Sequence, residues 1–379
     1  MKQGIIYAEL KQGSRILHCP ENLGNNAKRL SDHEKKLGFN SWSISLKKDA
    51  YGFKADQTLV KGGSFILGEL ARWRLLWIAI FSYDIIHFNN GKTIMPHRVP
   101  FSSVRARTNT LIALFYSIYA GIFEGLDLPI LKAFGKTIYF TYQGSDARYS
   151  SHYTKLHNED VLAGLNPDYL SPKADKYKKR RIARSEKFAD GIYCLNPDLL
   201  RNFTSKASFL PYYNVDINLI ETHSIFDKPT IHVVHAPSKR DIKGSTYIIN
   251  ALNKICKDNP NVDFTLVENM INDDAQRIYE TADLFIDQLI VGWYGGVAVE
   301  LMARGVPVMC FLEDTSDIEN VQELVKEIPI IATSIDTLET DLKDILSLEP
   351  NKINSISQAG LKFVRAHHSR NHNNCEKRN

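Results

Sequence analysis

A chain of 379 residues that is 44% hydrophobic and 24% charged is long enough for two domains with cores of their own, which sets aside disordered, collagen-like and disulfide-stapled classes. A net charge of +4 is too small to argue for a nucleic-acid partner. The five cysteines, Cys19, Cys194, Cys256, Cys310 and Cys375, stand singly without a CxxC pair, so a reduced compartment is expected and a zinc cluster is not.

No signal-peptide pattern opens the chain. The apolar run Leu111–Phe123 falls short of the ~20 residues that cross a bilayer, so a cytoplasmic protein is expected. Arg15–Cys19 reads as a strand, Gly24-Asn25-Asn26 as a turn, and Ala27–Leu37 as a helix that stops at Gly38. Asn40–Ser45, Asp84–Phe88 and Lys136–Tyr142 read as further strands. Strands separated by helices imply parallel crossovers and a doubly wound sheet. No GxGxxG follows the first strand, so the dinucleotide fingerprint is absent. Gly91-Lys92-Thr93 lacks the first glycine of a P-loop, with Ile86 in its place, and reads as a surface turn.

Ala71–Phe81 carries Trp73, Trp77, Arg72 and Arg74 on a helical pattern; it suits a core helix, or an interfacial one at a lipid surface. Thr141–Arg148 closes a strand and so lies at the carboxyl edge of the sheet. There Asp146 either contacts substrate hydroxyls or makes an Asx turn that caps the next helix. The basic run Lys173–Lys187 is a solvated helix face, or a surface toward an anionic membrane or another anionic partner. A strand over Gly191–Leu195 and a tail through Asp216 end this half.

The second half alternates in the same way, with strands expected over Thr230–Ala236 and Val262–Val267 and a helix over Ser245–Lys257. Between them, Arg240 and Lys243 place a guanidinium and an ammonium in one loop, where they can hold an anion. A lysine in such a loop is expected to face solvent and to be dispensable for folding. Asp283–Asp287 reads as a buried strand, Gly292–Gly296 as a glycine-rich loop, Val297–Arg304 as a short helix with Gly305 as its stop, and Pro307 opens another strand. Strand, glycine turn and helix N-terminus form an anion site. Glu300, about one turn into that helix, is placed to accept hydrogen bonds from sugar hydroxyls. After Val364 the apolar pattern fades, so either the final helix is short or the tail is disordered.

Tyr294-Gly295, Glu300, Met302-Ala303, Gly305 and Pro307-Val308 resemble the nucleotide-sugar site of GT-B glycosyltransferases, in the large retaining group called group 1 or family 4. In that group two glutamates bracket the glycine turn; here Gly292 stands at the first. Gly144, Asp146 and Arg148 match a His-Gly-x-Asp segment in which Gln143 replaces the histidine, and Lys243-Gly244 matches a Lys-Gly pair, with Arg240 a displaced counterpart of the group's arginine.

The resemblance implies an α/β protein of GT-B fold, two Rossmann-like doubly wound domains facing a central cleft. The expected parts are an acceptor domain over residues 1–215, a linker over 216–229, a nucleotide-sugar domain over 230–366 and a tail over 367–379. It implies transfer of a sugar from a nucleotide diphosphate, UDP above all, to a hydroxyl of a glycan or lipid-linked acceptor, with retained configuration. Arg240, Lys243 and Asp146 are the catalytic candidates. Glu300, Gly295, Gly296, Gly24 and Asn25 are the donor-side candidates. With no DxD triplet in the chain, neither a metal nor another cofactor is expected. Two other classes stay open, a GT-B-fold nucleotide-sugar epimerase and a non-catalytic glycan-binding scaffold.

Overall fold

The protein is described by a computed structural model that covers residues 13–368, apart from residues 50, 61, 63–64, 101–103, 105–107, 205, 213–221, 223–224 and 227–228. Its contacts divide it into two units. One comprises Met1–His152 and Pro167–Leu210, the other Tyr153–Asn166 and Pro211–Asn379. The expected linker, residues 216–229, falls mostly outside the described residues.

In the first unit seven parallel strands, β1 (Arg15–Cys19), β2 (Asn40–Lys47), β3 (Gln57–Val60), β4 (Ile85–Phe88), β5 (Thr137–Tyr142), β6 (Gly191–Cys194) and β7 (Ala207–Phe209), lie in the order β3-β2-β1-β4-β5-β6-β7. Parallel strands are covered on both faces, so the central ones are near-continuous apolar runs. Leu17, Ile86, Phe88, Ile138 and Phe140 form the heart of the core. The short edge strand β3 is half-exposed and escaped the sequence reading. The strand order reverses between β1 and β4, which opens a crevice at their carboxyl ends.

The helical residues Thr110–Ala133 are, by length and composition, sufficient to cross a membrane. The sequence reading stopped at Phe123 because Glu124 interrupts the apolar run. The stretch is in fact two helices, Thr110–Phe123 and Asp127–Ala133, parted at Gly125 with φ 72°. The second is anchored inside the unit: the fully buried carboxylate of Asp127 accepts from Thr93 Oγ1 at 2.9 Å and from the Met95 N–H at 3.2 Å.

The second unit has five parallel strands, β8 (Ile231–His235), β9 (Val262–Leu266), β10 (Leu284–Ile286), β11 (Val308–Cys310) and β12 (Ile331–Ala332), in the order β12-β11-β10-β8-β9. Its order reverses between β8 and β10. Val233, Leu252, Leu284, Ile286 and Leu342 form its core. The final helix is long rather than short, running from Pro350 to His367, because Ile353, Leu361, Phe363 and Val364 keep a buried stripe among polar residues. His368 follows it and is buried, past the expected start of the tail at residue 367; residues 369–379 of that tail lie outside the described residues.

Two buried histidines link this unit's stability to pH. His235 Nδ1 lies 2.8 Å from the Ile286 carbonyl and Nε2 2.8 Å from Ser245 Oγ. His368 reaches the Tyr212 carbonyl through Nδ1 and Tyr294 Oη through Nε2 at 3.1 Å. A carbonyl only accepts, so each ring donates from Nδ1, and in the neutral form Nε2 accepts from the hydroxyl. Burial pushes both pKa values down to about 4. The unfolded chain takes up these protons near pH 6.5, so the stability they carry is complete above that value and is lost as pH falls toward 4. The thermal midpoint should fall across this window. His368→Gln, which does not titrate, should flatten the fall, and an unchanged slope would show that His368 is not responsible.

Candidate active site

The second unit's crevice is built where β8 and β10 end. The loop after β8 leads into a single helical turn, Arg240–Lys243, closed by Gly244 at φ 72°. The loop after β10 runs from Asp287 to Gly295 and feeds the helix Gly296–Ala303. Gln288, fully buried, knits this loop together. Its carbonyl oxygen accepts the N–H groups of Ile290 (2.8 Å) and Val291 (2.5 Å), and its amide nitrogen donates to the carbonyls of Trp293 and Phe311, both at 3.0 Å. A buried amide satisfied on both ends fixes the loop's course.

Asp287 is the centre of the site. It is 1% exposed, and its two oxygens take Lys243 Nζ and the Gly295 N–H, each at 2.6 Å. Lys243 is itself 17% exposed, which corrects the expectation of a solvent-facing lysine: it is the partner of a buried carboxylate. A Cβ placed on Gly295 would lie 3.3 Å from Lys243 Nζ and 3.4 Å from Asp287 Oδ2. Glycine at Gly295 therefore lets the ammonium rest against the backbone just before the helix N-terminus at Gly296.

Glu300, half-buried on the next turn of that helix, accepts from Gln276 Nε2 at 3.1 Å, and Gln276 accepts in turn from Arg304 at 2.8 Å. The Tyr279 hydroxyl is pushed up by burial and then by the carboxylates of Glu300 and Asp287. Both negative charges are thus felt at one buried phenol. Arg240 is the exception among the candidates of this unit. It is exposed and forks onto Glu268, with Nε 2.8 Å from one oxygen. Lys243, Gly295 and Gly296 are brought together with Glu300 one helical turn beyond, whereas Arg240 is turned to a carboxylate of its own.

Gly292, at the place of the group's first glutamate, has φ 87°. A Cβ there would stand 2.9 Å from the Glu313 Cβ and 3.0 Å from its Cγ. The Glu313 N–H also donates to the Gly292 carbonyl at 2.9 Å.

The remaining candidates belong to the first unit. Gly24 and Asn25 form a left-handed turn after β1, with φ 57° and 60°. The neighbouring Asn26 donates to Gln143 Oε1 at 3.0 Å. Asp146 accepts the backbone N–H groups of Gln143, Gly144 and Gly91 at 3.1, 2.7 and 3.0 Å. It therefore clasps the loops after β4 and β5 at the sheet's carboxyl edge. Arg148, 3% exposed, forks onto Asp198 at 2.7 and 2.9 Å and holds this loop in place.

Sequence reasoning missed Asp287 as a partner and Gln288 and His235 as supports. Asp287 and Gln288 are polar residues at the end of an apolar run, the one signal that could have flagged them.

No family model matches the sequence, and no curated protein matches it. Solved structures do. Sucrose-phosphate synthase of Thermosynechococcus elongatus aligns at 13% identity with a TM-score of 0.58, over 94% of this chain and 95% of that one. The HepE protein of Anabaena, in complex with UDP-glucose, aligns at 12% and 0.57, over 94% and 96%. A candidate UDP-N-acetylglucosamine 2-epimerase from Listeria monocytogenes aligns at 13% and 0.50, over 93% and 95%. At such identities the likeness is one of fold: this chain has two Rossmann-like α/β units of GT-B architecture.

Proposed function

We propose that this chain is a cytoplasmic glycosyltransferase. It would take a sugar from a nucleoside diphosphate, UDP in the first instance, and pass it to a hydroxyl of a glycan or lipid-linked acceptor with retained configuration. The observation that carries the reading is Lys243 Nζ, fixed by Asp287 beside Gly295 at the point where the second unit's strand order reverses. The ammonium has two further N–H donors after Asp287 takes one, and these are available to a diphosphate. As the bond from the sugar's anomeric carbon to the phosphate oxygen breaks, the growing charge on that oxygen meets the ammonium and the helix N-terminus. The acceptor oxygen bonds the same carbon, and its proton passes to the leaving phosphate. Arg240 joins as a second cation if the phosphate draws it from Glu268. These charges supply the stabilisation that a metal gives in other enzymes, so the reading includes no metal or other cofactor.

Glu300 is assigned to the ribose hydroxyls. Its loss should cost about 1.5–3 kcal/mol of nucleotide affinity, roughly 10- to 150-fold, and Glu300→Gln should cost less than Glu300→Ala. The 2′-deoxy nucleotide should bind the native protein poorly yet lose little more in Glu300→Ala. Calorimetry with both nucleotides separates the cases, since additive losses would remove Glu300 from the ribose.

The likeness to the Listeria protein keeps one rival, a nucleotide-sugar epimerase. Incubation with a panel of UDP-sugars decides between them. Release of UDP dependent on an added acceptor supports transfer, and an inverted sugar still attached to UDP supports epimerisation.

A further inference from the structure

The first unit carries an apolar surface that its core does not use. Among the described residues, nineteen large hydrophobic side chains are exposed, and twelve of them lie on two helices, Phe65–Ser82 and Thr110–Phe123. Ile66, Leu70 and Trp77 on the first are 60–69% exposed; Leu111, Phe115 and Ile122 on the second are 61–78% exposed. The second helix buries only Ala113 and Ala120 and contains no charged residue. Ring contacts between Phe65 and Tyr116 (6.1 Å) and between Trp73 and Phe123 (5.4 Å) set the helices side by side. Scattered exposed apolar residues are ordinary, but a contiguous field of this kind marks an interaction surface.

At the N-terminal ends of the same helices a cavity of about 730 Å³ opens within this unit, lined by Phe65, Ile112 and Tyr116 among others. Seven Lys and Arg side chains line it against four carboxylates. Lys92 pairs with Glu21 and Arg72 with Glu69. Lys47, Lys48, Arg98 and Arg181 have no ion pair among the described residues; Arg98 Nη2 donates to the Gly121 carbonyl at 2.6 Å and Arg181 Nη1 to the Arg98 carbonyl at 3.2 Å, and the buried Arg98 Nε has no acceptor. The cationic field is felt at His97, whose pKa is pushed far down by burial and then by Lys92, Arg181 and Arg72.

We propose that the two helices dock the first unit on an anionic lipid bilayer, and that the basic cavity beside them takes the phosphate head group of a lipid held in that surface. Apolar side chains insert at the interface, a tryptophan and phenylalanines among them, while the unpaired cations meet the phosphates. A second copy of the chain would bring the same positive charge again, whereas an anionic bilayer brings its complement. The helices lie on the surface rather than span it, because the break at Gly125 and buried Asp127 tie the chain to its own core. Resting on the glycosyltransferase reading, this makes a phosphate-bearing lipid the acceptor class.

Flotation of the full chain with vesicles tests it. The protein should rise with vesicles containing one part phosphatidylglycerol to two of phosphatidylcholine, rise far less with phosphatidylcholine alone, and detach as salt increases. Trp77→Ser with Phe115→Ser should cut binding tenfold or more at an unchanged thermal midpoint, since both side chains are exposed. Lys47→Gln with Lys48→Gln should weaken binding to the anionic vesicles severalfold and flatten its salt dependence. No binding to anionic vesicles at low salt overturns the proposal. So does a lipid-free dimer in sedimentation that the Trp77/Phe115 variant dissolves, which would make the face a contact between copies. UDP binding measured in parallel keeps the two readings apart: vesicle binding without UDP binding supports docking and sinks the transferase, and the reverse sinks docking alone.

Discussion

Lys243→Ala is expected to lower turnover by roughly two to three powers of ten, the range for removing one charge partner from a transition state. It should also destabilise the second unit. Asp287 is 1% exposed and loses the partner of one of its oxygens, and a buried acceptor left unsatisfied costs about 1–3 kcal/mol. The two effects separate in the variant Lys243→Ala/Asp287→Asn. Asparagine can still accept the Gly295 N–H but carries no charge to bury, so stability should largely return while turnover stays low. Thermal denaturation and initial rates on both variants give the answer. If turnover returns along with stability, Lys243 is a structural residue only.

Gly292→Glu, which restores the glutamate found in the group this chain resembles, is expected to damage the protein. The position has φ 87°, and a side chain there meets Glu313 at 2.9 Å. The contact is with Glu313 Cβ, which cannot swing away, because the Glu313 backbone is tied to the Gly292 carbonyl. Left-handed strain adds about 1–2 kcal/mol and overpacking about 1–3 kcal/mol, so a loss of about 2–5 kcal/mol follows. Since both terms arise at Cβ, Gly292→Ala should suffer most of the loss, and Gly292→Glu/Glu313→Gly should recover the overpacking part. A Gly292→Glu protein as stable as the native one would refute this description of the loop.

How far the sequence reveals the molecule depends on the range of the interaction. β1, β4 and β5 were legible because strands buried on both faces write themselves as apolar runs, and the helix Gly296–Ala303 because glycine and proline punctuate it. The edge strand β3 was not legible, since four half-exposed residues carry no pattern. The final helix was underestimated because its buried stripe is diluted by polar residues. In the site, the glycine turn and Glu300 are local features and could be read. The pairing of Lys243 with Asp287 joins residues 44 positions apart, and that of Arg240 with Glu268 joins residues 28 apart. Nothing in the spacing of either pair specifies it; the order of β8, β9 and β10 in the sheet does.

Neither unit is a single length of chain. Residues 153–166 belong with the second unit, where His157 Nε2 lies 2.8 Å from the Ile290 carbonyl and the Asn166 N–H donates to Asp241 at 3.0 Å, yet residues 167–210 return to the first. On a ribosome the strip that completes the second unit emerges before strands β6 and β7 of the first, and long before its own sheet exists. It must wait, unpaired, until residues 231–310 have been made. A gene cut between residues 210 and 211 would likewise yield a C-terminal fragment whose Asp241 and Ile290 lack their partners and an N-terminal fragment carrying a strip with nowhere to pack, so no single cut in the gene yields either unit whole.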